Sequence, residues 1–209
     1  MSLIEKLQWC YATKKFDTAK KLSDDKVSIL KEAFNLTALS YGLQTLKMVV
    51  VEDKILRESL VKTSYGQRQV ADASHLLVLC IQTKIDKEDV EEHFETIKDI
   101  RNTPDAVLES FKGQLKTTIE NMPVEKKIGW ATKQAYIALG NLMTVCAVEG
   151  IDSCPMEGFM PSELDKALKL EEHGLSSVLL LPVGYRAEDD MFADFKKVRK
   201  PLYKTIIEL

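Results

Sequence analysis

The chain has no Cys-x-x-Cys pair, no Gly-x-x-x-x-Gly-Lys loop, no Gly-x-Gly-x-x-Gly fingerprint and no apolar run long enough to cross a bilayer. Each absence removes a class of function. Without either glycine motif there is no sign of P-loop nucleotide hydrolysis or of a Rossmann cofactor domain. His75, His93 and His173 stand apart, and Glu91-Glu92-His93 reads as a solvated helix face, so no metal centre is expected. Cys10, Cys80, Cys146 and Cys154 are scattered, which points to reduced thiols in a cytoplasmic protein. The chain also lacks a charge excess: 29 basic against 32 acidic residues leave a net charge of -3, which argues against a nucleic-acid partner. Leu76–Ile81 and Val178–Val183 are too short to span a membrane, and the first six residues lack the basic-then-apolar pattern of a secretory signal.

What is present suits one globular domain over 1–209, with residues 185–209 as a C-terminal arm. Leu3, Ile4 and Leu7 share a helical face. Ser23 opens a second helix whose first turn carries Asp24 and Asp25 and whose stripe is Val27, Leu30, Ala33 and Phe34. Lys47–Val51, Leu76–Ile81 and Val178–Leu181 are compact apolar runs that predict sheet strands covered on both faces. Between them the pattern predicts helices over Ile55–Lys62 and Asp86–Arg101, then one capped by Thr103 with Pro104 at its first position. The longest helix follows Pro123, with Ile128, Ala131, Ala135, Ala138, Leu142 and Val145 at spacings of three and four. A short helix fits Ser162–Leu170, with Asp165 in a loose capping box. After Gly184 the chain turns polar, then closes on Tyr203, Ile206, Ile207 and Leu209, an apolar end that would be tolerated if it packed on a second subunit.

Several segments carry chemistry only in combination. Lys197 and Arg199, one residue apart on extended chain, would project to one side, where a phosphate rewards paired cations; alone they read as a solvated tail beside Lys196, Lys200 and Lys204. Gln67 and Gln69 alternate on one side of a short segment, and a carboxamide can donate and accept at once. Pro155-Met156-Glu157-Gly158 follows the long helix, and its glycine permits close approach of the backbone to a ligand.

With Tyr11-Ala12-Thr13-Lys14-Lys15-Phe16-Asp17, Ser40-Tyr41-Gly42-Leu43-Gln44, Asp72-Ala73-Ser74-His75 and Pro182-Val183-Gly184, these segments resemble, over nearly the whole chain, the nitroreductase family of FMN-dependent, NAD(P)H-using flavoenzymes. The resemblance implies an α+β fold: a four-stranded antiparallel sheet wrapped by helices, in an intertwined homodimer with a swapped C-terminal arm. It implies FMN as cofactor, NADH or NADPH as electron donor, and hydride transfer to nitroaromatic or quinone-type small-molecule acceptors by a ping-pong mechanism. A flavin-binding or interaction protein on the same scaffold, with little reductase activity, is the alternative.

The resemblance also assigns residues. Lys197 and Arg199 fall on the flavin phosphate, and Cys10, Tyr11, Ala12, Thr13 and Lys14 line the cofactor. Lys14 would favour electron uptake from the pyrimidine edge, and Gln67 or Gln69 would bond that edge. Pro155, Met156, Glu157 and Gly158 form the loop whose Glu157-Gly158 backbone faces N5 and O4. Leu39, Ser40 and Gln44 would arrive from the other subunit, with Tyr41 shaping the substrate pocket. Phe111 lies where the family places a mobile cover over that pocket, although an isolated helical aromatic more often packs inward. The family pattern has arginine at the position of Cys10, so a weaker hold on FMN is expected here, and proline at that of Thr45, so a less rigid 40–44 loop is expected.

Overall fold

The computed structural model describes all of residues 1–209. Four strands form one fully antiparallel sheet in the order β1-β2-β4-β3: β1 is Leu46–Val51, β2 His75–Gln82, β3 Asp152–Ser153 and β4 Leu175–Gly184. Leu46 pairs with Ile81 and His75 with Val183, and a bulge at Leu79/Cys80 shifts the β2–β4 register. Alternation along β2 and β4 divides the core. Leu77, Leu79, Ile81, Leu179, Leu181 and Val183 face one apolar cluster, whereas Leu76, Val78, Cys80 and Leu180 face another. The apolar runs are continuous because both faces are covered.

Eight helices do the covering: α1 Leu3–Trp9, α2 Asp24–Asn35, α3 Lys54–Ser59, α4 Gln69–Asp72, α5 Lys87–Arg101, α6 Asp105–Asn121, α7 Val124–Glu149 and α8 Pro161–Leu168. Ser23 caps α2 by accepting from the Lys26 N–H, and Asp86 starts α5 in a reciprocal capping box with Asp89. The long α7 lays Ala131, Ala135, Ala138, Leu142 and Cys146 against the sheet, small side chains that let its axis come close. Gly150 ends it in the left-handed region, at φ 65°.

The structure corrects several expectations. The fourth strand, β3, has two residues and leaves no period to detect. β1 is an edge strand whose Val49 and Val50 are only half-buried, not a strand covered on both faces. Ile128 is 44% exposed, on the side of α7 turned away from the core. Pro104 is itself the N-cap of α6, and Thr103 caps nothing. Asp165 forms no capping box: it is buried and accepts bonds from Ser176 Oγ and the Ser177 N–H, tying α8 to β4, because a buried carboxylate needs such partners more than a helix end does. Phe111 is 48% exposed rather than packed inward. Beyond Gly184 this chain forms no further strand, only a short helical turn at Leu202–Lys204.

Candidate active site

The two ends of the chain meet along β3 and the end of β4. Residues 12–17 run beside them: the Thr13 N–H donates to Ser153 O, Asp17 N–H to Tyr185 O, and Ala187 N–H to Lys15 O. Gly184 is needed at this crossing, since a Cβ there would lie 2.9 Å from the Ser74 nitrogen and 3.2 Å from the Phe16 ring. Arg186 then lies between Trp9 and Tyr11, 4.3 and 4.5 Å from their ring centroids, and its Nε donates to Asp152 Oδ1 at 2.7 Å. The buried Asp190 carboxylate accepts from Tyr11 Oη at 2.8 Å and from the Lys14 and Lys15 N–H groups at 2.9 and 3.1 Å. Burial pushes that carboxyl up, but the N–H donors of Phe192, Lys14 and Lys15 and the Tyr11 hydroxyl outweigh it and hold the group below the usual range. Burial and the Asp190 bond together raise the Tyr11 phenol.

This scaffold walls a cleft of about 340 Å³. Cys10, Tyr11, Ala12 and Lys14 line one side, Lys197 and Arg199 the other; Lys196 adds a fourth cation and no acid lines it. The Lys197 ammonium bonds the carbonyl oxygen of Cys10, joining the two sides directly. Lys14 also reaches toward β3: burial raises the Cys154 thiol, and the Lys14 charge pulls against that. Thr13 lies apart from the cleft, fully buried with its N–H committed to Ser153.

Next in the chain, Met156 is buried and exchanges both backbone bonds with Leu180, so its side chain and amide are turned to the core rather than toward a ligand. Pro155 before it is half-buried. Glu157 and Gly158 emerge into solvent, and their N–H groups donate to no protein acceptor. Both flanks of this peptide are pinned: Met160 N–H donates to Thr63 O at 2.7 Å, and Gln67 Nε2 donates to Gly158 O at 2.7 Å. Tyr136 of α7 donates to the Glu157 carboxylate at 2.6 Å. Gln67 and Gln69 do not alternate on an extended segment: Gln67 sits in a turn after Gly66, and Gln69 is the first residue of α4. The turn lets Gln67 reach Gly158.

The 40–44 loop lies elsewhere on this chain. Its Ser40 N–H donates to Gln134 Oε1 of α7 at 2.8 Å, Gln44 bonds Asn35, and Tyr41 sits 6.0 Å from Trp130. Leu39 and Gln44 line a separate groove along β1 and α2. None of residues 39–44 lines the Lys14 cleft of its own chain. Sequence reasoning missed Asp152, Arg186, Asp190, Tyr136 and Gln134; none stands in a recognisable spacing, and each acts through a partner distant in sequence.

A layered α+β fold with a basic, acid-free cleft suits the binding of a small anionic ligand, and the Glu157-Gly158 peptide separately offers two free N–H groups. The family model described as the nitroreductase family matches residues 8–185, and the chain belongs to that family. It is 31% identical over 201 residues, 90% of each chain, to YfkO of Bacillus subtilis. It is 28% identical over 214 residues, 95% of each chain, to the oxygen-insensitive NAD(P)H nitroreductase of Salmonella typhimurium. Among solved structures, a protein of Exiguobacterium sibiricum in complex with FMN superposes with a TM-score of 0.83 at 19% identity, covering 100% of this chain and 98% of that one. No helix is long and apolar enough to cross a membrane.

Proposed function

We propose that the protein is an FMN-dependent oxidoreductase carrying hydride from NADH or NADPH to a nitroaromatic or quinone-type acceptor, donor and acceptor taking one pocket in turn. The observation that carries this reading is the convergence of Lys14, Lys197 and Arg199 on one acid-free cleft. The free N–H groups of Glu157 and Gly158 support it as donors for the ring's reactive edge. These residues fit FMN: cations suit its phosphate, and pinned N–H donors suit the N5–O4 edge of its ring. When bound, FMN supplies the redox chemistry, accepting hydride and giving it up again.

The chain binds and orients. Lys197 and Arg199 hold the phosphate, and Cys10, Tyr11 and Ala12 form the wall against which the cofactor lies. The Lys14 ammonium would lie along the pyrimidine edge and favour electron uptake there. Glu157 and Gly158 would hold the reactive edge through their N–H groups, and Gln67 keeps that peptide in place while its own oxygen stays free to accept; Gln69 stands two positions on, at the start of α4. Leu39, Ser40 and Gln44 serve the site of a second subunit, where Tyr41 and Phe111 shape the pocket for donor and acceptor. That division explains why the 40–44 loop does not reach the cleft of its own chain. No acidic side chain is required, because solvent can protonate the reduced acceptor.

The working form is a cytoplasmic homodimer. The four cysteines are unpaired, and burial pushes the Cys80 and Cys146 thiols up to about 12, as suits a reducing compartment. Protein reconstituted with FMN should be yellow, lose its visible flavin absorbance on anaerobic addition of NADPH and regain it with a quinone. A preparation that binds FMN yet stays oxidised would leave only a flavin-binding scaffold.

A further inference from the structure

The loop between α2 and β1 is held in an unfavourable conformation. Tyr41, Gly42 and Gln44 lie in the left-handed region at φ 58°, 75° and 46°. For Tyr and Gln this conformation is unfavourable and persists only where neighbours impose it. The Gln134 bond to Ser40 imposes one end and the Asn35 bond to Gln44 the other. The middle is set by His93, which projects from α5 onto Gly42: a Cβ at that glycine would meet His93 Cε1 at 2.7 Å and Nε2 at 3.1 Å. The imidazole occupies the place a side chain would take.

His93 is also the first link of an aromatic chain. Its ring stands edge-on to the fully buried Phe94 at 5.6 Å, and Phe94 stands edge-on to Phe111 of α6 at 5.7 Å. Tyr41 and Phe111, the two half-exposed aromatics assigned to the acceptor pocket, are therefore joined through Gly42, His93 and Phe94. We propose that His93 is a positioning residue for acceptor choice, fixing the Tyr41 loop relative to the helix that carries Phe111. The inference rests on the function proposed above and adds which residue sets the pocket's width.

A titrating group at this joint makes the pocket sensitive to acid. A space of about 140 Å³ beside the ring is lined by Lys47 from β1, by Gln82 from β2 and by Asp89, Glu92 and Thr96 from α5. Asp89 is already engaged by Gln82 Nε2 and the Asp86 N–H, which leaves Glu92 as the free acid and Lys47 as an opposing cation. Burial first, and the Arg101 charge second, keep His93 below the ordinary histidine value of 6.5. The ring is neutral in the packed loop. As pH falls below 6.5, protonation works against the packing on Gly42.

The test uses the FMN-loaded protein with a small benzoquinone and a bulky naphthoquinone, comparing wild type with His93→Ala and His93→Phe. The ratio of the two quinones' KM values should change roughly tenfold in H93A, while kcat for the small quinone moves by no more than about twofold. H93F, which refills the space without titrating, should restore the ratio and abolish its drift below pH 6.5. Near-ultraviolet circular dichroism of the cofactor-free protein, reporting the Tyr41–Trp130 pair, should diminish in H93A and return in H93F. Wild type that turns over with an unchanged KM ratio in H93A overturns the inference alone. So does a ratio that changes equally in both variants with a lowered melting temperature, the mark of a merely structural residue. Wild type that NADPH leaves oxidised overturns the function, and the inference with it.

Discussion

Asp190 sits in a run of acids, Glu188-Asp189-Asp190, and only it turns inward. Its carboxylate gathers three donors from residues 11–15 and one from Phe192, so it fixes the peptide that carries Lys14 against the segment that leads to Lys197. Replacing it with alanine leaves the Lys14 and Lys15 N–H groups and the Tyr11 hydroxyl without an acceptor. Asp190→Ala should cost about 2–3 kcal/mol in urea unfolding, since several bonds to one charged group are lost. It should also weaken FMN binding in a fluorescence titration, because the Lys14 wall of the cleft loosens. The pH dependence has a definite sign. The folded carboxyl titrates below the ordinary aspartate value of 3.8, so its contribution is present above that value and lost as pH falls through the lower, folded one. Wild-type stability should therefore lose this increment only in strong acid, and the variant should show no such loss.

At the scale of elements, α7 is the part most dependent on close fit. Ala131, Ala135 and Ala138 are fully buried against the sheet, and Gln134 and Tyr136 on its other sides hold Ser40 and Glu157. Ala135→Leu should destabilise the protein by roughly 1–3 kcal/mol in thermal or urea unfolding, since the helix cannot retreat without dragging both loops. A cost near zero would mean that α7 does not pack as described. The alanine spacing made this helix legible before the structure, and the unbroken apolar runs made β2 and β4 legible for the same reason: a periodic environment imprints a periodic sequence. β3 was illegible because two residues hold no period, and its place comes from pairing with β4 and with residues 12 and 13. Among candidate site residues, Lys14, Lys197 and Arg199, which the structure brings to one cleft, were picked out through their order along the chain. Asp190, Arg186 and Tyr136 were not, since what distinguishes them is a partner 21 to 179 residues away.

Over the whole molecule, two surfaces lack what would normally cover them. One is the outer edge of β1, where Leu46–Val51 has no neighbour on its free side. Apolar grooves flank that edge, of about 330 Å³ beside Phe34, Leu39 and Met48 and about 490 Å³ beside Val49, Leu56 and Leu168. The other is the end of the chain, where Val198, Leu202, Tyr203, Ile207 and Leu209 are each more than 70% exposed. An uncovered strand edge and an uncovered apolar tail are each unfavourable in water, and one docking event between two copies removes both. A tail that leaves its own chain for the partner's edge also brings Lys197 and Arg199 along the interface, where the partner's 40–44 loop could complete the site. Deleting residues 201–209 keeps both cations but removes the apolar anchor. In light scattering the intact protein should have the mass of a dimer and the shortened one the mass of a monomer. The shortened protein should also bind FMN less tightly, although every residue lining its cleft is retained. A shortened protein that stays dimeric with unchanged FMN affinity would show that the tail does not hold the subunits together.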